Sequence, residues 1–150
     1  MINVTLPDGS QRQYEDGASP ADVAESISKS LAKAALAAKV NGEMYDLNRP
    51  LEGDAEVAIV TAKDEDGLDL IRHDAAHVLA QAVQELYPDT QVTIGPVIDD
   101  GFYYDFARET PFSTEDFERI EKKMEEIIDK DYPITREVWS KDEAIETFKK

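Results

Sequence analysis

The sequence predicts an α+β protein in two segments, and three observations carry that reading. Short stretches of period-2 apolar alternation, as in Ile2-Asn3-Val4-Thr5-Leu6, mark half-buried strands. Between them run amphipathic stretches of helical period with polar caps, at Ser19, Ser113 and Ser140. Near position 63 the charged run Lys63-Asp64-Glu65-Asp66-Gly67, without a large apolar side chain, separates two such groups. Residues 1–62 are therefore expected to form one domain, 63–67 an acidic solvated linker, and 68–150 a second segment with a central β-hairpin and flanking helices.

In the first segment, Ile2, Val4 and Leu6 form one face of a strand, and Pro7-Asp8-Gly9-Ser10 is a turn because proline presets φ and glycine accepts positive φ. Gln11–Tyr14 returns as the second arm. Ser19 caps a helix with Pro20 at its first position and Asp22 three residues after the cap. Its apolar stripe is Val23, Ala24, Ile27, Leu31 and Ala34 or Ala35. Leu36–Val40 reads as a strand, Asn41-Gly42 as a turn, and Val57, Ile59 and Val60 as a last strand after Gly53-Asp54. The order implies a small mixed sheet with one helix packed across it. No histidine and no glycine-rich phosphate loop occurs there, so the expected role is binding or scaffolding.

Leu68–Leu86 has helical period and stops before Pro88, with Ile71, Ala75, Val78, Ala82 and Leu86 on one stripe. Both histidines of the chain lie on this helix, in Arg72-His73-Asp74-Ala75-Ala76-His77. Four residues apart, His73 and His77 share another face with Ala76, Ala80 and Gln84, small neighbours that leave room. A solvated surface pair is one reading. A zincin-like His-Asp-x-x-His is another, but catalytic zinc wants three protein ligands, and the chain has no third histidine and no cysteine. The third makes the pair acid/base and hydrogen-bonding groups around a water, for which an imidazole reference pKa near 6.5 is suited.

Val92–Phe106 reads as a hairpin around Asp99-Asp100-Gly101, with Gly95-Pro96 making a bend or bulge in the first arm. Phe102, Tyr104 and Phe106 face one way, Tyr103 and Asp105 the other. Ser113-Thr114-Glu115-Asp116 opens a helix with Phe117, Ile120, Met124, Ile127 and Ile128 as its stripe and Glu118–Lys122 and Glu126–Lys130 as i, i+4 pairs. Pro133 ends it, Ile134–Trp139 reads as a strand, and Ser140-Lys141-Asp142-Glu143 is a capping box for a last helix.

The run Gly95-Pro96-x-Ile98-x-x-Gly101-Phe102-Tyr103-Tyr104-Asp105, following His73-x-x-x-His77, resembles the editing domain of bacterial threonyl-tRNA synthetase. Residues 1–62 resemble the TGS domain that precedes it, a ubiquitin-like β-grasp module. The resemblance implies that 68–150 is the N-terminal part of a threonyl/alanyl-type editing domain, which hydrolyses serine wrongly attached to threonine tRNA. By residue, it makes His73 and His77 the catalytic pair, orienting the 3′-terminal adenosine or the attacking water, and places Tyr104 and the Gly95 backbone on the aminoacyl pocket. The family's partner groups, a lysine and a Cys-x-x-x-His motif, come later than residue 150, so no tight metal site and no editing by this stretch alone are expected. ATP, magnesium and zinc belong to the parent's catalytic core. The expected partner is a tRNA acceptor end held mainly by other parts of a parent that dimerises through other domains, with this stretch alone a monomer.

Composition bounds the alternatives. With 16 Lys and Arg against 33 Asp and Glu, the net charge is −17, the wrong sign for a broad RNA-gripping surface. There is no cysteine to staple a secreted fold, no basic-then-apolar leader at Met1-Ile2-Asn3-Val4-Thr5, and no membrane-spanning run, so a cytoplasmic protein without a membrane partner is expected. The rival reading is a TGS-type regulatory or ligand-binding module without catalysis, as in GTPases and stringent-response enzymes. The Gly-Phe-Tyr-Tyr-Asp hairpin argues against it.

Overall fold

The computed structural model describes residues 1–149; Lys150, the last residue of the expected second segment, lies outside the described residues. The first domain is a five-stranded sheet in the order β2-β1-β5-β3-β4, from β1 (Ile2–Thr5), β2 (Gln11–Tyr14), β3 (Ala35–Val40), β4 (Glu43–Tyr45) and β5 (Ala55–Thr61). Only β1 and β5 run parallel, which is the β-grasp arrangement. Alternation gives Ile2, Val4 and Val57 to the inner face, where Val23 of α1 (Pro20–Ile27) and Leu51 close the core. Asn41 and Gly42 both take positive φ, 51° and 86°, as a two-residue turn between β3 and β4 requires.

The helical stripe expected to run from Val23 to Ala34 is broken. Ser28 is extended, at φ −166° and ψ 151°, and its hydroxyl accepts from the Leu31 N–H to start a separate helix, α2 (Lys29–Ala34). Serine competes with the helix for its own backbone, and the turn after Ile27 buries too little apolar surface to outweigh that.

The expected linker is also different. Helix α3 (Glu65–Leu86) begins inside it, three residues earlier than periodicity placed its start and two residues after Lys63. Asp64 turns the chain by accepting from the Thr61 N–H at 2.7 Å and the Thr61 hydroxyl at 3.0 Å. Those bonds, the backbone one first, hold the Asp64 carboxyl below the usual carboxylate range. Lys39 of β3 pairs with Asp66 at 2.6 Å, and Gly67 is buried so close to the end of β5 that a Cβ there would lie 1.9 Å from the Thr61 carbonyl oxygen. Lys63, Asp64 and Glu65 are exposed as their charge implies, while the local Asp64–Thr61 bonds, the Lys39–Asp66 pair and the buried Gly67 give the run a fixed path.

Along α3 the buried positions are Gly67, Ala76, Ala80, Ala82 and Val83, a face rotated from the expected stripe, with Ile71 left 43% exposed. Two neighbours cause the shift. Helix α4 (Thr114–Asp129) packs Ile120 and Ile127 on Ala82 and Val83, while a hairpin covers Ala76. That hairpin is interrupted. Its outer ladder joins β6 (Gln91–Val92) to β9 (Phe106–Ala107), and its inner ladder joins β7 (Val97–Ile98) to β8 (Gly101–Phe102) around Asp99-Asp100. Gly101 therefore opens β8 rather than sitting in the turn. Between the ladders, residues 93–96 oppose only 103–105, one residue extra in the first arm, so the bend expected at Gly95-Pro96 is a bulge.

Helix α4 starts with the Ser113/Asp116 capping box, and α5 (Lys141–Phe148) with that of Ser140 and Glu143. The expected pairs Glu118–Lys122 and Glu126–Lys130 do not form. Instead Lys123 bridges Glu126 at 3.1 Å and Glu85 of α3 at 3.4 Å, because it faces the neighbouring helix. Ile134–Trp139 is no strand either: with no neighbour to pair with among the described residues it runs as exposed coil, Ile134 at 93%. No helix among the described residues is long and apolar enough to cross a membrane.

Candidate functional site

Helical spacing of four stacks His73 above His77, and the two rings meet edge to face at 4.6 Å with their Nε2 atoms 2.9 Å apart. Imidazole nitrogens approach this closely only as donor and acceptor, so the neutral pair holds one ring with hydrogen on Nε2 and the other with hydrogen on Nδ1. Both rings are exposed. The arrangement offers one shared proton and, once a water or hydroxyl enters between the rings, one donor and one acceptor aimed at it. No third His, Asp or Glu joins them as a metal-ligating group among the described residues.

The room beside the histidines is used by the hairpin. Ala76 is the residue on which buried Gly95 packs, about 60° around α3 from the histidine row. A Cβ on Gly95 would lie 2.3 Å and 2.9 Å from the Tyr104 ring edge and 3.1 Å from the Ala76 Cβ. Tyr104 stacks on Phe106 at 4.6 Å, and its hydroxyl donates to the Thr93 carbonyl at 3.0 Å. The Thr93 hydroxyl in turn donates to the Asp105 carbonyl at 2.9 Å. These two bonds cross the gap between the ladders, where the backbone bond from the Tyr103 N–H to the Pro96 carbonyl is long, at 3.4 Å. Gly95 and Tyr104 thus come together as a packed pair against the histidine-bearing helix, with the Tyr104 phenol employed in holding the bulge. Tyr103, on the opposite face, is 52% exposed.

Arg72 was left without a role by sequence reasoning. Its guanidinium donates to the Asp99 carbonyl at 3.1 Å and lies 3.5 Å from Asp69. The only signal was its place in the run Arg72-His73, four residues before Ala76. Clefts of about 490, 460 and 440 Å³ lie elsewhere, the first beside Tyr45 and Arg49, the second beside Tyr87 and Arg108, the third beside Leu6 and Lys39. None of the three is lined by His73 or His77.

A family model described as the TGS domain matches residues 2–61. The chain is 79% identical over 149 residues to a threonine–tRNA ligase of Hyphomonas neptunium, covering 99% of this chain and 23% of that protein. It is 66% identical over 148 residues to the threonine–tRNA ligase of Maricaulis maris, with 99% and 23% covered. For the Rhodospirillum rubrum ligase the figures are 59% over 150 residues, with 100% and 23% covered. The chain thus spans about a quarter of the length of the curated relatives it matches.

Proposed function

Residues 2–61 belong to the TGS domain family and the whole chain is homologous to the N-terminal region of threonine–tRNA ligases, and from that premise we propose that it serves a ligase in proofreading the tRNA it charges. The parent attaches threonine to its tRNA with ATP, in a core outside this region. The region contributes to hydrolysis of serine mistakenly attached to the same tRNA. Such proofreading answers a physical limit. Serine lacks one methyl, and a difference of that size supplies only about 1–3 kcal/mol of discrimination at one pocket.

One observation carries the reading: the 2.9 Å Nε2 pair of His73 and His77, exposed beside the Gly95–Tyr104 packing. It supplies a donor and an acceptor to a water or a ribose hydroxyl at the ester of a tRNA 3′ end. The partner is accordingly an acceptor end, brought to an acidic surface by the rest of the ligase. Holding two of the expected catalytic groups, the 150 residues alone do not hydrolyse the ester.

The test uses serine-charged threonine tRNA. In a full-length threonine–tRNA ligase carrying this region, His73→Ala should lower deacylation at least 100-fold and leave threonine attachment unchanged. Deacylation within twofold of the parent refutes the role. Hydrolysis by the 150 residues alone, lost on His73→Ala, refutes the need for further groups. A purely ligand-binding TGS module is the second reading, favoured by the 490 Å³ cleft beside Tyr45 and Arg49. It requires His73→Ala to be silent.

A further inference from the structure

We propose that Arg72 is a positioning residue for the histidine site, clamping the tip of the β7–β8 hairpin to α3 and so fixing how the hairpin sits beside the histidines; this rests on the proofreading role above. Arg72, Ala76 and Ala80 follow one another at i, i+4 and i+8 along α3, and the hairpin lies on that row. The histidines occupy the adjoining row. Strands β6, β7 and β8 of the hairpin all neighbour α3, and Gly95 packed on Ala76 is a close small-group contact between them. Arg72 adds a polar contact at the tip, where its guanidinium reaches the Asp99 carbonyl at 3.1 Å. That carbonyl lies in the two-residue turn, outside the ladder pairs Val97–Phe102 and Ile98–Gly101.

Charge makes the clamp necessary. The turn carries the carboxylates of Asp99 and Asp100, and the helix turn that bears Arg72 carries Asp69 and Asp74. Arg72 is a cation that contacts both elements, and its side chain is only 21% exposed. One guanidinium nitrogen, Nη1, reaches both the turn carbonyl at 3.1 Å and Asp69 at 3.5 Å. Lysine offers the charge on a shorter side chain. Without the cation, the acidic tip and the acidic helix turn repel, and the hairpin tip moves away from the histidines.

Two measurements on Arg72→Met and Arg72→Lys test this. In the 150-residue chain, hydrogen exchange of the 97–103 peptide should quicken at least tenfold in Arg72→Met, less in Arg72→Lys, with residues 2–61 and 78–86 unchanged. Exchange at 97–103 equal to the parent overturns the clamp; faster exchange throughout the chain overturns a local role. In the full-length ligase, Arg72→Met should lower kcat for deacylation about tenfold with KM within twofold, threonine attachment unchanged, and Arg72→Lys recovering part of the loss. An unchanged kcat overturns the positioning role if His73→Ala abolishes deacylation in parallel. If His73→Ala is silent too, the proofreading role on which the positioning claim rests is overturned with it, and the exchange experiment still judges the clamp.

Discussion

Replacing Gly95 by alanine tests the packing on which the site is built. The added methyl would stand 2.3 Å from one Tyr104 ring carbon, 2.9 Å from the next and 3.1 Å from the Ala76 Cβ. Carbon atoms rest at about 3.5–4.0 Å, so ring and glycine must separate by more than about 1 Å. The ring has little freedom to yield, being stacked on Phe106 and tied by its hydroxyl to Thr93. Overpacking of this kind costs about 1–3 kcal/mol, and losing the Tyr104 bond about 1 kcal/mol more. Alanine also restricts the unfolded chain, which offsets roughly 0.4–1 kcal/mol. The net expectation is a loss of about 2 kcal/mol, or a fall in Tm of about 4–8 °C for a chain of this size. Thermal unfolding followed by near-ultraviolet circular dichroism reads both the Tm and the tyrosine environment. Gly101→Ala, in the same hairpin but with nothing within 4 Å of the new methyl, is the control and should stay within about 0.5 kcal/mol. In a Tyr104→Ala background most of the Gly95→Ala cost should vanish, a coupling of 1 kcal/mol or more. Equal stability of the two glycine variants, or no coupling to Tyr104, would refute the reasoning.

At the joint, Gly67→Ala places a methyl 1.9 Å from a backbone carbonyl that cannot rotate away; a loss of about 3 kcal/mol and faster hydrogen exchange over 61–68 are expected. Val23, fully buried between α1 and the sheet, should lose about 2–3 kcal/mol on Val23→Ala in urea unfolding. Asp64 and Asp116 both titrate below the ordinary carboxylate range, Asp64 through its bonds from Thr61 and Asp116 through the Tyr87 hydroxyl and then the Ser113 N–H. Depressed carboxyls stabilise fully above the unfolded value of about 3.9, and the contribution is lost as pH falls through the lower folded values. Tm measured from pH 5 to pH 2 should therefore fall less steeply in Asp64→Asn and Asp116→Asn than in the parent. Ile134→Ser, at a position 93% exposed, should change the stability of this chain by less than about 0.5 kcal/mol; a larger loss would mean that 134–139 is packed after all.

Local chemistry was legible in the sequence and long-range docking was not. The helix starts at Ser19, Ser113 and Ser140 and the Asn41-Gly42 turn depend on residues within four positions, and all form as read. The helix break at Ser28, the helical start at Glu65 and the exposed 134–139 coil each depend on what another part of the chain covers or leaves uncovered. The same division runs through the site. Spacing alone placed His73 and His77 together, whereas the mutual fit of Gly95, Tyr104 and Ala76 and the reach of Arg72 to Asp99 exist only once the hairpin lies on the helix.

The tight turn from β5 into α3 makes that helix a lever with its fulcrum at Gly67. Its 22 residues extend about 33 Å, and His77 stands ten residues, about 15 Å, from the pivot. A tilt of about 5° between first domain and helix would therefore sweep His77 through about 1.3 Å, a misplacement on the scale that costs a hydrolytic site about a hundredfold. The Lys39–Asp66 bridge at 2.6 Å and the buried Gly67 are thus where the first domain sets the direction in which the histidines stand.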